Sequence, residues 1–93
     1  CANDQVAVGA INAAIELGVK VPDDVAIIGF DDLPMASWPV FSLTTARVAF
    51  AEMSQAVVAL LVAQLSGEAE PSVPHIFPTE LVLRRTHGAP LTA

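Results

Sequence analysis

An α/β fold of the doubly wound kind is predicted by three observations. Residues Val25 to Phe30 form an apolar run, β-branched at three positions and bounded by Pro22-Asp23-Asp24 and Asp31-Asp32. Such a run reads as a strand buried on both faces of a parallel sheet. A capped helical pattern precedes it across the short connection Val19 to Asp24, which is the helix-to-strand step of a doubly wound sheet. A further extended segment and a second long helical pattern then follow, repeating the alternation.

In chain order, Asn3 or Asp4 can cap a helix running from about Gln5 to Leu17, and Gly18 supplies the permissive φ that ends it. Gln5, Gly9, Asn12 and Glu16 fall near one face, and most of the remainder is Ala, Val, Ile and Leu. That apolar arc is wider than covering one sheet requires. The helix is therefore either wedged in its own core or in contact with a partner subunit. After the Val25 to Phe30 strand, Asp31 to Ser42 is a loop containing Pro34, Trp38 and Pro39. Leu43 to Val48 reads as a second strand, with Thr44 and Thr45 suited to a pleated surface.

Glu52 to Leu65 is a second helix, with Met53, Val57, Leu60, Leu61 and Gln64 marking one side and Ser66-Gly67 as its stop. Glu68 to Pro74 is a loop. His75 to Arg84 is a final extended segment interrupted at Pro78, hence an edge strand or one that changes course. The tail from Thr86 to Ala93 has little to bury and is expected to fray.

Ninety-three residues fit one domain or part of one. At 54% hydrophobic residues the chain is more apolar than an isolated small α/β unit should be, so we expect it to be cut from a larger fold or paired with a second copy. Ten acids against four bases argue against this stretch gripping DNA, which needs clustered Lys and Arg. The adjacent Arg84 and Arg85 read as a solvated strand end. With Cys1 as the single cysteine, no internal disulfide can form, and a reducing cytoplasm is the default expectation. No signal peptide is visible, and no apolar run approaches the ~18 residues of a membrane span. Because the chain opens without methionine, its true N-terminus is expected upstream.

The chemistry concentrates at Asp31. In open α/β sheets, ligands bind in the crevice at the carboxyl ends of the strands, and Asp31 would sit there on a stiff element. Neighbouring strand residues point to opposite faces, so Asp31 can aim into the cleft while Asp32 starts the loop and caps backbone donors. A carboxylate in a dry cleft can accept from vicinal hydroxyls, each charge-assisted bond contributing roughly 1.5–3 kcal/mol. Simple turn chemistry is the alternative for both acids.

If a strand precedes Cys1, Asn3 lies on the same sheet edge, where its amide can donate and accept; otherwise Asn3 and Asp4 only cap the helix. Phe50 could lie against the flat side of a sugar or base, or pack in a core. Trp38, between prolines in a loop, is a costly exposed aromatic unless it meets a partner or folds back. There is no nucleophile elbow, phosphate-binding glycine loop or Cys/His metal cluster, and His75 and His87 stand alone as surface residues. These features describe a binding crevice rather than an enzyme, with neither cofactor nor metal.

Cys1-Ala2-Asn3-Asp4-Gln5, Leu17-Gly18, Val21-Pro22-Asp23-Asp24, the run Val25 to Asp32, Leu43-Thr44-Thr45 and Pro78-Thr79-Glu80-Leu81-Val82 occur in an order and spacing that closely resemble the lactose-repressor (LacI/GalR) family of bacterial transcription regulators. The resemblance runs from Cys1 to Arg85. It implies the C-terminal portion of a periplasmic-binding-protein-like type I sensor, residues 1–85, followed by a tail at 86–93. The helix-turn-helix headpiece that binds operator DNA would lie outside this chain.

By the same resemblance, Asn3 and Asp31 match positions that hydrogen-bond a small effector, a sugar or related metabolite, and Phe50 one that lines its apolar side. Val8, Asn12 and the loop around Trp38 match a homodimer surface. Phe30 and Asp31 would belong to the C-terminal subdomain and the helix after Phe50 to the N-terminal one. The stretch Ala49-Phe50-Ala51 is less polar than usual for the family. The implied protein is cytoplasmic and has no membrane partner. The alternative is a periplasmic sugar-binding protein of a transport system, which a signal peptide in place of a headpiece upstream would identify.

Overall fold

The computed structural model describes residues 1–67 and 75–88. Its elements are α1 (Asp4–Leu17), a 3-10 turn (Pro34–Ser37), β1 (Thr45–Arg47), α2 (Phe50–Leu65) and β2 (Glu80–Val82). Two units are distinguishable: Cys1–Arg47 with the described part of Glu80–Ala93, and Val48–Thr79.

In the first unit, α1 starts where Asn3 is extended and its Oδ1 accepts from the Val6 N–H at 2.9 Å, satisfying one orphan donor of the first turn. It stops at Gly18, whose left-handed φ of 70° lets its N–H turn back to the Ile15 carbonyl. Asp4, Ala7, Ile11 and Ala14 form the buried stripe, at helical spacing. Gln5, Gly9, Asn12 and Glu16 are exposed, as the pattern predicts. Val6, Ile15 and Leu17 are exposed as well, so the unit's own core does not fill the wide apolar arc. That core consists of Ala7, Ile11, Ile27, Ala36, Phe41 and Leu43.

The expected strand at Val25 to Phe30 differs in two respects. Only isolated parallel bridges form, Ile28 with Thr44 and Asp31 with Arg47, through Gly29 N–H to Thr44 O at 3.0 Å and Asp31 N–H to Ala46 O at 2.9 Å. Ile27 and Gly29 are buried, but Ile28 and Phe30 remain 45% and 40% exposed, so the run is covered on one face and not on both. Ile27 and Gly29 face α1 and the core, whereas the described residues cover Ile28 and Phe30 only in part. On the edge away from β1, the Ile28 and Phe30 carbonyls accept from the Cys1 ammonium at 2.8 Å and the Asp4 N–H at 3.0 Å.

The second expected strand shortens to β1, which pairs antiparallel with β2 in the register Thr45–Val82, Ala46–Leu81 and Arg47–Glu80. Strand β2 begins only after Pro78, and residues 75–79 have no regular structure. Thr86, placed by the sequence at the start of the tail, is held in the first unit. Thr86 is buried: its Oγ1 accepts from Thr44 N–H at 2.9 Å and its carbonyl from Ile27 N–H at 2.9 Å. His87, expected alone at the surface, is half-buried with Nδ1 2.7 Å from Thr44 Oγ1. The Ile27 and Thr44 N–H groups, outside the ladder, find their acceptors on Thr86, which composition alone does not reveal. Residues 89–93 lie outside the described residues.

In the second unit, α2 begins at Phe50, two residues earlier than expected, and none of its residues is buried. Its apolar side, including Val57, Leu60 and Leu61, is exposed. Ser66 caps its end, with both N–H and Oγ directed at the Val62 carbonyl. The expected loop Glu68 to Pro74 lies outside the described residues. No helix among the described residues is long and apolar enough to cross a membrane.

Candidate functional site

Two adjacent carboxylates leave the carboxyl end of the 27–31 segment, and their surroundings are opposite. Asp32 is held on both oxygens: Arg47 Nε donates to Oδ2 and an Arg84 terminal nitrogen to Oδ1, each at 2.9 Å. Its side chain is only 11% exposed. Burial pushes the Asp32 carboxyl up, but hydrogen bonds and charge from Arg47 and Arg84 outweigh it and hold it below the ordinary carboxylate value. Asp32 therefore pairs with arginines and does not cap backbone donors as the sequence suggested. Arg84, expected as a solvated strand end, is largely buried, and its second terminal nitrogen donates to the Leu43 carbonyl at 2.9 Å. Two of the chain's four bases converge on one acid because a buried carboxylate needs compensation.

Asp31 is half-buried, and its carboxylate has no hydrogen-bond or ion-pair partner among the described residues. No main-chain amide among the described residues donates to it, although Asp is also a residue type that tolerates a positive φ in a turn. The backbone at this point is unusual: φ is 115° at Asp31 and 57° at Asp32. Left-handed non-glycine residues cost about 1–3 kcal/mol each, persist only where their surroundings over-determine them, and concentrate at functional sites.

The Asp4 N–H to Phe30 carbonyl bond ties residues 3–4 to residues 30–31. Asn3 thereby reaches the same end of the segment as Asp31. Its Oδ1 serves the cap, as one of its two expected roles required, and its Nδ2 donates to no group among the described residues. Asp4 does not cap. It is fully buried inside the first turn and accepts from Leu33 N–H at 2.7 Å and Thr45 Oγ1 at 2.6 Å. It joins α1, the loop after Asp32 and β1. Gly29 makes room for it, because a Cβ there would overlap Asp4 Oδ1 and lie 2.9 Å from Leu43 Cδ2.

Phe50 opens α2 in the second unit and is 54% exposed. Among the expected dimer residues, Val8 packs partly against the core of the first unit, Asn12 is exposed, and Trp38 is 54% exposed. Trp38 folds back in part, stacking on Phe41 with ring centroids 6.2 Å apart. Sequence reasoning missed Asp4 as a buried junction and the Arg47–Asp32–Arg84 cluster. The scarcity of bases, four against ten acids, was the one signal that could have marked those arginines as already committed.

The arrangement offers, at one edge, a carboxylate and an amide donor that have no partner among the described residues, a constellation suited to binding hydroxyl groups.

Residues 1–87 match the periplasmic binding protein-like domain family. The HTH-type transcriptional regulator MalR of Streptomyces coelicolor is 43% identical over 91 residues, covering 97% of this chain and 26% of that protein. A lactose operon repressor from Rhizobium radiobacter is 34% identical over 89 residues, covering 96% of this chain and 78% of that sequence. A dimeric Lac repressor with a C-terminal deletion has a TM-score of 0.83 at 36% identity, covering 96% of this chain and 32% of that one. A LacI family transcriptional regulator from Arthrobacter sp., in complex with lactose, has a TM-score of 0.77 at 34% identity, covering 91% and 32%. The chain thus spans about a quarter of the length of MalR.

Proposed function

Because this chain belongs to the lactose-repressor (LacI/GalR) family of transcription regulators, within its periplasmic-binding-protein-like domain, we propose that residues 1–85 form the C-terminal part of an effector-binding and dimerisation domain. The effector is a small polyhydroxylated metabolite, a sugar or close relative. Asp31 accepts hydrogen bonds from its hydroxyls and the Asn3 amide donates to it; Phe50, in the second unit, matches by family resemblance a position that lines the effector's apolar side. Val8, Asn12 and Trp38 contribute to a homodimer surface. Effector binding then changes operator affinity through a headpiece that this chain does not include. Coupling of this kind is typically about 1–3 kcal/mol, and by linkage operator must alter effector affinity by the same factor.

The observation that carries this reading is the Asp31 carboxylate, which has no partner among the described residues, beside an Asp32 that has two. Lactose bound to the Arthrobacter regulator supports a sugar as the ligand class. The transcription-regulator relatives favour this reading over a transport-linked binding protein and over an enzyme.

The test uses the full-length regulator with operator DNA selected from a random pool, followed by fluorescence anisotropy. Asp31→Asn suits the test because Asn tolerates the left-handed backbone while removing the charge. It should leave operator affinity within twofold of wild type and abolish the response to sugar. A variant that responds to sugar as wild type does refutes the assignment.

A further inference from the structure

A carboxylate with no partner among the described residues, next in sequence to one that holds two arginines, requires an explanation. Arg47 and Arg84 carry charges that would be attracted to either acid of the Asp31–Asp32 pair, yet both are committed to Asp32. We propose that Asp32 is a positioning residue for effector binding: it takes one arginine on each oxygen, holds residues 31–32 in their left-handed turn, and so keeps the Asp31 carboxylate free. This inference rests on the effector-binding reading above.

The clamp has the rigidity the role demands. Arg84 is anchored a second time, through the Leu43 carbonyl at 2.9 Å. Arg47 lies on β1, opposite Glu80 in the ladder, and its guanidinium also lies 3.7 Å from the Glu80 carboxylate. The two arginines enter from different segments of the chain, β1 and the residues just after β2, so Asp32 is fixed from two directions. The Asp31 N–H to Ala46 carbonyl bond fixes the adjoining backbone from a third. Over-determination of this sort is what sustains consecutive left-handed residues that are not glycine. The arrangement also divides labour by charge. Asp31 adjoins Asp32 in the chain, and a guanidinium that left Asp32 to pair with Asp31 would occupy the oxygens that a hydroxylated ligand needs.

The experiment is a double-mutant cycle on the full-length regulator, with Kd measured by calorimetry against lactose, sucrose, maltose and ribose. All proteins are assayed at a temperature where circular dichroism shows them folded, and the sugar that binds wild type most tightly is used throughout. Asp32→Asn should weaken sugar binding at least tenfold. Asp31→Asn/Asp32→Asn should bind no more weakly than Asp31→Asn alone, because both changes act through one carboxylate. An Asp32→Asn protein with lowered Tm but wild-type Kd overturns the inference, as does full additivity in the double variant.

If Asp32→Asn does not fold, Arg47→Gln replaces it. That change removes the more exposed arm of the clamp and should weaken binding at least threefold; an unchanged Kd overturns the inference. Wild type that binds none of the four sugars, or Asp31→Asn that binds as wild type, refutes the effector-binding reading itself. The two failures are therefore distinguishable.

Discussion

Removing the Asp4 side chain should loosen the first unit at the point where three of its segments meet. Asp4→Ala deletes the acceptor of the Leu33 N–H at 2.7 Å and of the Thr45 hydroxyl at 2.6 Å, at a site with no solvent exposure. Hydrogen bonds to charged groups contribute about 1.5–3 kcal/mol each, so the pair amounts to about 3–6 kcal/mol, including the cost of stranding the buried Thr45 hydroxyl and the part-buried Leu33 N–H. Thr45→Val keeps the shape of the side chain and removes one of the two bonds, for an expected loss of about 1.5–3 kcal/mol. The assay is equilibrium urea unfolding of the full-length regulator, read as a shift of midpoint at unchanged m. Because the two residues share a bond, the double variant should lose less than the sum of the singles by about 1–2 kcal/mol. A loss below about 1 kcal/mol for Asp4→Ala, or strict additivity, would refute the reasoning that Asp4 is a structural junction.

Three further outcomes are expected. Gly29→Ala should destabilise by about 1–3 kcal/mol in the same urea assay, because the added methyl overlaps Asp4 and crowds Leu43; an unchanged midpoint would mean the close approach is not enforced. The carboxyl of Asp32 is held below its unfolded value, so its contribution is fully present above the unfolded carboxylate pKa of about 3.9 and is lost as pH falls through the lower folded value. Asp32→Asn should accordingly flatten the acid limb of stability against pH, and an acid limb identical to wild type would contradict the pairing. Trp38→Asp should weaken self-association at least tenfold in sedimentation of the full-length protein, since Trp38 is 54% exposed and supported by Phe41; an unaltered dimer constant would remove Trp38 from the interface.

The parts of the fold that were legible in the sequence are those decided by neighbours along the chain. Asn3 and Gly18 delimit α1 through contacts three or four residues away, and the positions of its polar face follow from helical spacing alone. The left-handed pair at Asp31–Asp32 falls where strand-ending acids were noticed, although its geometry was not foreseen.

What was illegible depends on distant partners. Whether Val25 to Phe30 is covered on one face or two depends on what packs against Ile28 and Phe30, and no local pattern encodes that. Arg84 reaches Asp32 across 52 positions, and Thr44 finds Thr86 across 42. Composition made Arg84 and Thr86 look as solvated as Arg85 is, because the same residue types serve a surface and a buried polar network equally well. At the candidate site, position along the segment singled out Asp31, but only the geometry separates it from Asp32, which is chemically identical and fully engaged.

The decisive measurement is a crystal structure of the full-length regulator with its tightest-binding sugar. The account predicts the Asp31 carboxylate within about 3.2 Å of two sugar hydroxyls, with Asp32 still gripped by Arg47 and Arg84. A sugar bound beyond hydrogen-bonding reach of Asp31, or an Asp31 paired with either arginine while the ligand is present, would contradict it.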